Sequence, residues 1–186
     1  LRVACGVGLD PDAARASLGS ALELGPPASE RSWRKFFGSV PQFEADDPYL
    51  THAYWYRWYG LRLNTVDAPG LPMRTETGLR PCAPYVTEGI GFFRNFITYS
   101  SQCMLREAAW MHDSRLAEGI VENLGVCQRS DGSIPGHNYS ARPPRDFYHA
   151  DFAPGLNRLL HLHGVRAGEP AMARYADYYL GARRPA

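Results

Sequence analysis

The sequence lacks the features that mark several large classes of protein. Its 20 basic and 19 acidic residues leave a formal net charge of +1, so no excess of positive charge points to nucleic acid or to an anionic membrane surface. No apolar run approaches the roughly 20 residues that span a bilayer, and no charged-then-apolar signal segment opens the chain. Lysine is almost missing, since Lys35 is the only one. We therefore expect neither nucleic acid nor a membrane as the partner.

Cysteine is sparse and scattered. Cys5, Cys82, Cys103 and Cys127 form no CxxC pair and have no histidine at the spacing of metal ligands, so we expect free, buried thiols and no metal. The P-loop, GxGxxG, GxSxG, HExxH and EF-hand patterns are also missing. The sequence thus predicts no cofactor and gives no support for a serine nucleophile. Paired carboxylates remain as the available chemistry.

What the sequence does contain is enough apolar material for one sizeable core. Hydrophobic residues make up 45% of the 186 positions and aromatic residues 12%, which is typical of a globular chain. The first residue is Leu rather than Met, and residues 1–10 read as the tail of a strand that enters a turn. We therefore expect the chain to be a piece of a longer protein.

Helical signals recur along the chain. Asp10 and Asp47 each precede a proline, which combines a capping side chain with proline at the first helical position. The predicted helices cover residues 11–24, 30–44 with a break at Pro41, 48–66, 87–112 with a start as late as Phe92, 114–127, 150–164 and 170–184. Residues 67–86 are predicted to be a Pro/Gly-rich connection. No convincing strand follows the opening residues, so we expect an all-α fold.

The lengths of the connections alternate. The turn at 112–114 is short, whereas the loops at 67–86 and 128–149 are long. This alternation favours helical hairpins packed side by side, with the long loops together on one face.

Three carboxylates are candidates for catalysis, and each has a structural alternative. Glu88 lies beside two glycines that would let a substrate approach the backbone, or it compensates a helix dipole. Asp131 precedes a glycine and either shapes a turn or acts in catalysis. Asp151 either caps the helix that follows or takes part in the reaction.

The loop 128-QRSDGSIPGHNY-139 is rich in side chains that form directional hydrogen bonds. Such donors and acceptors, together with an aromatic ring, suit the hydroxyl groups and the apolar face of a sugar. His149 begins the next helix on the same side of the predicted hairpins. Trp110 is either a sugar contact or a core residue. The candidate substrate-binding residues are Arg94, Trp110, Gln128, His137, Asn138, Tyr139 and His149.

Four stretches carry a family resemblance: 33-WRKFFGSVPQFEADDPYL-50, 54-YWYRWYGLRLNT-65, 115-RLAEGIVENLGVCQRSDGSIPGH-137, and 3-VACGVGLDPDAARASLGSALE-23. Their order resembles the (α/α)6-barrel, six-hairpin glycosidases of the trehalase, mannosylglycerate hydrolase and processing α-glucosidase group. The last of the four is similar to the exit from the β-sandwich and the linker helix that precede the barrel there. The resemblance implies a division into residues 1–30, the sandwich end and linker, and residues 31–186, the N-terminal half of a catalytic toroid.

The resemblance also implies an activity. It points to a glycoside hydrolase that uses carboxylate acid/base catalysis on a carbohydrate substrate. In the family, an Asp in a Trp-Asp pair often serves as the acid; here Arg94 or Asn95 stands near that position and Glu88 is the nearest carboxylate. The second family carboxylate lies far downstream, so we expect the base outside this chain and the chain to be inactive alone.

Two rival functions stay open at this point. A polysaccharide lyase on a similar toroid would use a Tyr or His as base and an Arg or Asn to neutralise a uronate, for which Arg94, Asn95, Tyr148 and His149 are available. A non-catalytic helical module that binds glycan or protein is the other. The lack of a sequence repeat of about 34 to 45 residues argues mildly against a solenoid.

Overall fold

The computed structural model describes residues 10–67, 71–89, 91–138 and 150–182. Over these residues the fold is mostly helical, as expected. The helices are α1 (Pro11–Phe37), α2 (Pro48–Asn64), α3 (Thr98–Ala108), α4 (Arg115–Cys127), α5 (Ala153–His163) and α6 (Glu169–Ala182), and a 3-10 turn covers Gly91–Phe93. The strands are β1 (Thr65–Val66), β2 (Pro72–Thr75), β3 (Gly78–Pro81) and β4 (Tyr85–Val86). The closed ring of helices expected from the resemblance stays a prediction.

The chain divides into two compact units, Leu1–Ser39 and Val40–Ala186. Helix α1 fills the described part of the first unit, and Asp10 caps it by accepting a hydrogen bond from the Ala13 main-chain N–H at 2.8 Å. The helix is kinked at Gly25, whose φ of 59° and ψ of −173° are not helical. The predicted end of the first helix thus falls at a kink. The two prolines that follow lie in the first turn of the helical half beyond the kink, where proline is tolerated.

Helix α2 opens the second unit in the way that its cap predicts. The side chain of Asp47 accepts a hydrogen bond from the Tyr49 N–H at 2.8 Å, and Pro48 follows it. Along the helix the aromatic residues divide between core and surface, since Trp58 is buried and Tyr56 is exposed.

The segment 67–86, predicted to be an irregular connection, contains strands instead. β2 and β3 form an antiparallel hairpin, and β4 pairs with β1. The prediction missed them because the hairpin begins and ends with proline and the other two strands have only two residues each. Their main-chain N–H and C=O groups are paired across short ladders. Their side chains do not show the alternation of apolar and polar residues that would predict a strand.

Helix α3 begins at Thr98, later than predicted. Gly91 has a φ of 63°, which belongs to the left-handed region that favours glycine, and Ile97 is paired in extended form with His137. The residues before Thr98 are therefore held by the neighbouring loop rather than by a helix.

Helix α4 is the centre of the core and packs against α3, α6 and β4. Asn123, fully buried on α4, clamps Ala83 with two hydrogen bonds of 2.9 Å, one from its N–H and one to its C=O. Because a buried polar group must be paired to be tolerated, this clamp fixes the chain before β4 against the helix.

Helices α3 to α6 put their short turns at one end and their long loops at the other. The ring of His163, at the end of α5, lies 3.1 Å from the Ala109 carbonyl oxygen at the end of α3, so α5 and α3 run in the same direction. α4 and α6 are likewise parallel, because Gly125 lies beside Ala171 and the loop beyond α4 reaches Arg174. The turns 109–114 and 164–168 form the short-turn end, and the segments 71–81, 94–97 and 128–138 form the loop end.

None of the helices in the described ranges combines the length and the apolar character that a membrane crossing requires.

Candidate functional site

The described part of the loop after α4 packs on the other long connection, as the hairpin arrangement predicts. Its main chain is joined to the segment before α3 by hydrogen bonds from Thr98 N–H to Gly136 O at 2.9 Å and from Asn138 N–H to Phe96 O at 3.0 Å. It meets the β2–β3 hairpin where Ser130 N–H donates to the Glu76 carboxylate at 2.9 Å. The loop end is thus a continuous surface built from three segments.

Gln128, a predicted sugar contact, has structural partners. Its amide N–H groups donate to the carbonyl oxygens of Gly132 at 3.0 Å and Ala171 at 2.7 Å. Its oxygen accepts a hydrogen bond of 2.9 Å from Nε of Arg174. The residue ties the end of α4 to α6 and, through Arg174, positions a charged side chain at the loop end.

Asn138, another predicted sugar contact, also turns inward. Its side chain bonds both main-chain groups of Arg74, accepting from the N–H at 2.7 Å and donating to the carbonyl. It further donates to Sγ of Cys127 at 3.1 Å. Burial raises the pKa of that thiol to about 12, so Cys127 stays protonated and unreactive at neutral pH. Of the other cysteines, Cys103 is exposed and Cys82 is half-buried, against the expectation of buried thiols, and Cys5 lies outside the described residues.

Arg94 and Asn138 line one small cavity of about 170 Å³ with Tyr85 and Asn95. The structure thus brings together three of the residues selected from the sequence, Arg94, Asn95 and Asn138. Burial raises the pKa of Tyr85 to about 12. Its hydroxyl group therefore stays protonated at neutral pH, which disfavours it as a proton acceptor in catalysis. The volume is below the roughly 300–1,000 Å³ of typical ligand sites.

The three candidate carboxylates lie in separate surroundings. Asp131 accepts hydrogen bonds from the N–H and hydroxyl of Ser133 at 2.9 and 2.6 Å, which is the geometry of a turn-forming aspartate. Asp151 accepts from Ala153 N–H at 3.2 Å and from Arg106 at 3.4 Å. Glu88 is exposed after β4.

The remaining candidate residues also lie apart from each other. His137 is half-buried at the loop end, paired with Ile97. Trp110 follows α3 at the short-turn end, stacked under the Arg158 guanidinium at 4.6 Å, and α3 spans about 16 Å between the two ends. Tyr139, Tyr148 and His149 lie outside the described residues.

Asp151 lines an apolar cavity of about 430 Å³ between α5 and α6. Phe152 and Tyr175 meet edge to face at 5.8 Å in its wall. Asp151 is the one carboxylate in the lining of this cavity, and it already forms an ion pair with Arg106 at 3.4 Å. The cavity is therefore poorly suited to acid/base catalysis by two carboxylates.

A larger cavity of about 610 Å³ lies at the loop end between the hairpin, α4, the loop beyond it and α6. We call it the arginine–glutamate groove, because its charged lining consists of three arginines and two glutamates. Its lining residues are Thr75, Glu76, Thr77, Arg80, Pro81, Glu122, Val126, Gln128, Arg129, Ser130 and Arg174. The volume falls within the range of small-molecule sites.

The sequence places each of these side chains through a different element. Glu122 and Val126 share one face of α4 because they are four residues apart. The side chain of Thr75 accepts from Thr77 N–H at 3.2 Å and so shapes the hairpin tip that carries Glu76. Gly132 has a φ of 89°, and a Cβ there would lie 2.6 Å from the Arg174 carbonyl oxygen. Only glycine lets the loop approach α6 closely enough to close the groove.

Sequence reasoning included Gln128 but missed the charged residues of the groove. Glu76 and Arg80 lie in the segment predicted to be an irregular connection, and Glu122 has the sequence pattern of an ordinary surface position of an amphipathic helix. The available signal was the TET sequence before a glycine at 75–78, which is typical of a hairpin turn. It does not indicate which helix the turn faces.

No three His, Cys, Asp or Glu side chains within the described ranges gather in a way that could hold a metal ion. A comparison with models of known protein families finds no match for the chain. Comparisons with curated proteins and with solved structures find no match either.

Proposed function

We propose that the chain carries a substrate groove of a glycoside hydrolase. One observation carries the proposal: Glu76 and Glu122, from two separate elements, line the same cavity of about 610 Å³. Hydrolysis of a glycosidic bond generally uses two carboxyl groups that face each other across the substrate. In the groove, two carboxylates from different elements line one volume that is suited to a ligand.

Hydrolysis would divide the work between the two glutamates. One carboxyl donates a proton to the glycosidic oxygen as its bond to the anomeric carbon breaks, and the other takes a proton from the attacking water or attacks first itself. We assign the second role to Glu76, because Ser130 N–H fixes one of its oxygens at 2.9 Å. Glu122, carried on α4, is assigned the role of proton donor.

The rest of the groove suits a sugar. The hydroxyls of Thr75, Thr77 and Ser130 both donate and accept hydrogen bonds, whereas the arginines only donate. The substrate's hydroxyl groups need both kinds of partner. Glu88, Asp131 and Asp151 do not line this groove, so the catalytic roles pass to Glu76 and Glu122. Both lie within this chain, which differs from the expectation drawn from the family resemblance that the base lies outside it.

The toroid belongs to the same proposal. Parallel pairing of α3 with α5 and of α4 with α6 repeats a helix pair with its short turn at one end and its long loop at the other, which supports a ring of helical hairpins with the substrate at the loop end. The family resemblance remains the reason to extend this repeat to six pairs.

The test uses the 186-residue chain and a panel of oligosaccharides and aryl glycosides. Binding is measured by ligand-detected NMR and cleavage by product analysis, for the unaltered chain and for Glu76→Gln and Glu122→Gln. Glu44→Gln, an exposed glutamate outside the groove, is the matched control. We expect either groove variant to reduce cleavage by about 100-fold or more with little change in binding.

Each result decides a different part of the proposal. Cleavage that both groove variants lose and the control keeps supports the assigned pair. Binding without cleavage would reject Glu76 and Glu122 as a sufficient pair, and would favour a base outside the chain or a module that only binds glycan. Absence of binding to every sugar would reject the groove as a carbohydrate site.

A further inference from the structure

The arginine–glutamate groove contains more arginine side chains than the binding of a neutral sugar requires. Arg80, Arg129 and Arg174 all line it, against two glutamates. A neutral sugar offers hydroxyl groups, which threonine, serine and glutamine side chains bind without the desolvation that a guanidinium suffers. Three permanent positive charges around one small volume therefore suggest a ligand that carries negative charge.

The arginines come from three different elements and converge on the groove. Arg80 is on β3, Arg129 is in the loop after α4, and Arg174 is on α6. Arg174 is held in place through its Nε by Gln128 at 2.9 Å, which leaves its terminal N–H groups for the groove. Arg80 makes one long hydrogen bond of 3.4 Å to Thr77. A guanidinium has five N–H donors, so these two side chains keep donors for a ligand.

The two glutamates do not cancel this charge by pairing. Within the described ranges, neither Glu76 nor Glu122 forms an ion pair with a groove arginine, although such pairs occur elsewhere on the surface, as between Arg57 and Glu107 at 2.6 Å. Glu76 and Glu122 on one side and Arg80 and Arg174 on the other thus keep charges of both signs that do not pair with each other. They fit a ligand that has hydroxyl groups for the carboxylates and an oxyanion for the arginines.

We infer that the groove takes an anionic carbohydrate, a sugar bearing a carboxylate or sulfate group, whose oxyanion is held by Arg80 and Arg174. This inference rests on the proposed function and narrows its substrate class. The fork of N–H groups on each guanidinium matches both oxyanions in two-point hydrogen bonds.

The experiment compares three probes of equal length on the 186-residue chain: a uronic acid oligosaccharide, a sulfated neutral-sugar oligosaccharide, and the same oligosaccharide without sulfate. Dissociation constants come from isothermal titration at low and at high salt. Arg80→Gln removes one charge of the groove, and Arg166→Gln, an exposed arginine in the turn before α6, is the control. Circular dichroism verifies that both variants fold.

We expect at least one anionic probe to bind more tightly than the neutral one, with an affinity that falls as salt rises. Arg80→Gln should weaken that probe by about tenfold and leave the neutral probe unchanged, and Arg166→Gln should change neither. The preferred anion tells carboxylate from sulfate. Equal binding of all three probes, or an Arg80→Gln effect that is the same for neutral and anionic probes, would overturn the inference and leave the proposed function standing. If none of the probes binds, both fail.

Discussion

Gly119 shows how little space separates α4 from the strand segment beside it. A Cβ at this position would lie 2.3 Å from the Pro84 carbonyl oxygen, which is main chain and cannot rotate away. The glycine is therefore required by close approach, and it lies one turn before Asn123, whose amide clamps Ala83. Together they hold β4 directly against the helix.

Replacing this glycine tests the approach. Gly119→Ala should lower the free energy of unfolding by about 1–3 kcal/mol, because the added methyl group forces the helix and the main chain apart. Gly60→Ala on α2 is the matched control, since no atom lies within 4 Å of its Cβ position, and it should raise stability by about 0.5–1 kcal/mol. Urea denaturation measures both. A loss no larger for Gly119→Ala than for Gly60→Ala would contradict the close packing.

At the residue scale, the kind of side chain at the loop end could be read from the sequence, but its direction could not. Gln128 and Asn138 are hydrogen-bonding residues, as a polar site needs, yet they bond the protein's own α6 and β2. Their partners lie 43 and 64 positions away in the chain. Only tertiary packing decides whether such an amide faces inward or toward a ligand.

At the element scale, helix starts with a cap were the most predictable feature. Asp47 followed by proline gave the first residue of α2 directly, because the cap is a local interaction. The start of α3 has no capping side chain; it depends on the pairing of Ile97 with His137, forty residues away in sequence. The short strands escaped prediction for the same reason, since a ladder of two residues has no periodicity of its own.

The cap of α2 can be measured in isolation. Asp47→Ala should destabilise the protein by about 1 kcal/mol, because the N–H of Tyr49 loses its acceptor at 2.8 Å. Asp46→Ala, which removes a neighbouring exposed carboxylate, should change stability by less than about 0.5 kcal/mol. The comparison uses thermal and urea unfolding of the two variants at neutral pH. Equal effects would mean that charge, and not the cap, matters at this position.

At the scale of the whole molecule, stability should fall under alkaline conditions. Burial raises the pKa of Cys127 from 9.0 and that of Tyr85 from 10.0, each to about 12. Between the unfolded and folded pKa values the folded chain keeps a proton that the unfolded chain releases. Rising pH therefore favours unfolding from about pH 9 to 12 through Cys127 and from about pH 10 to 12 through Tyr85, by about 1.4 kcal/mol per pH unit for each group at full slope.

Variants identify the source of this slope. Urea unfolding at a series of pH values should show a shallower alkaline decline for Cys127→Ala and for Tyr85→Phe, and the shallowest for the double variant. Cys82 and Tyr175, whose pKa values burial also raises, leave a residual slope. An alkaline decline of unchanged steepness in the double variant would show that other groups are responsible.

The arginine–glutamate groove has a consequence for how such a protein can diverge. Its charged side chains at positions 76, 80, 122 and 174 are all exposed, whereas the groove owes its shape to buried or close-packed residues such as Gly132 and to the eight buried positions of α4. Substitutions that alter the charge of the groove therefore leave its scaffold intact. At Arg80 and Arg174 substitution can therefore change the charge that the proposed groove offers a ligand with little loss of stability, whereas substitution of the buried residues one helical turn further inside would destabilise the fold.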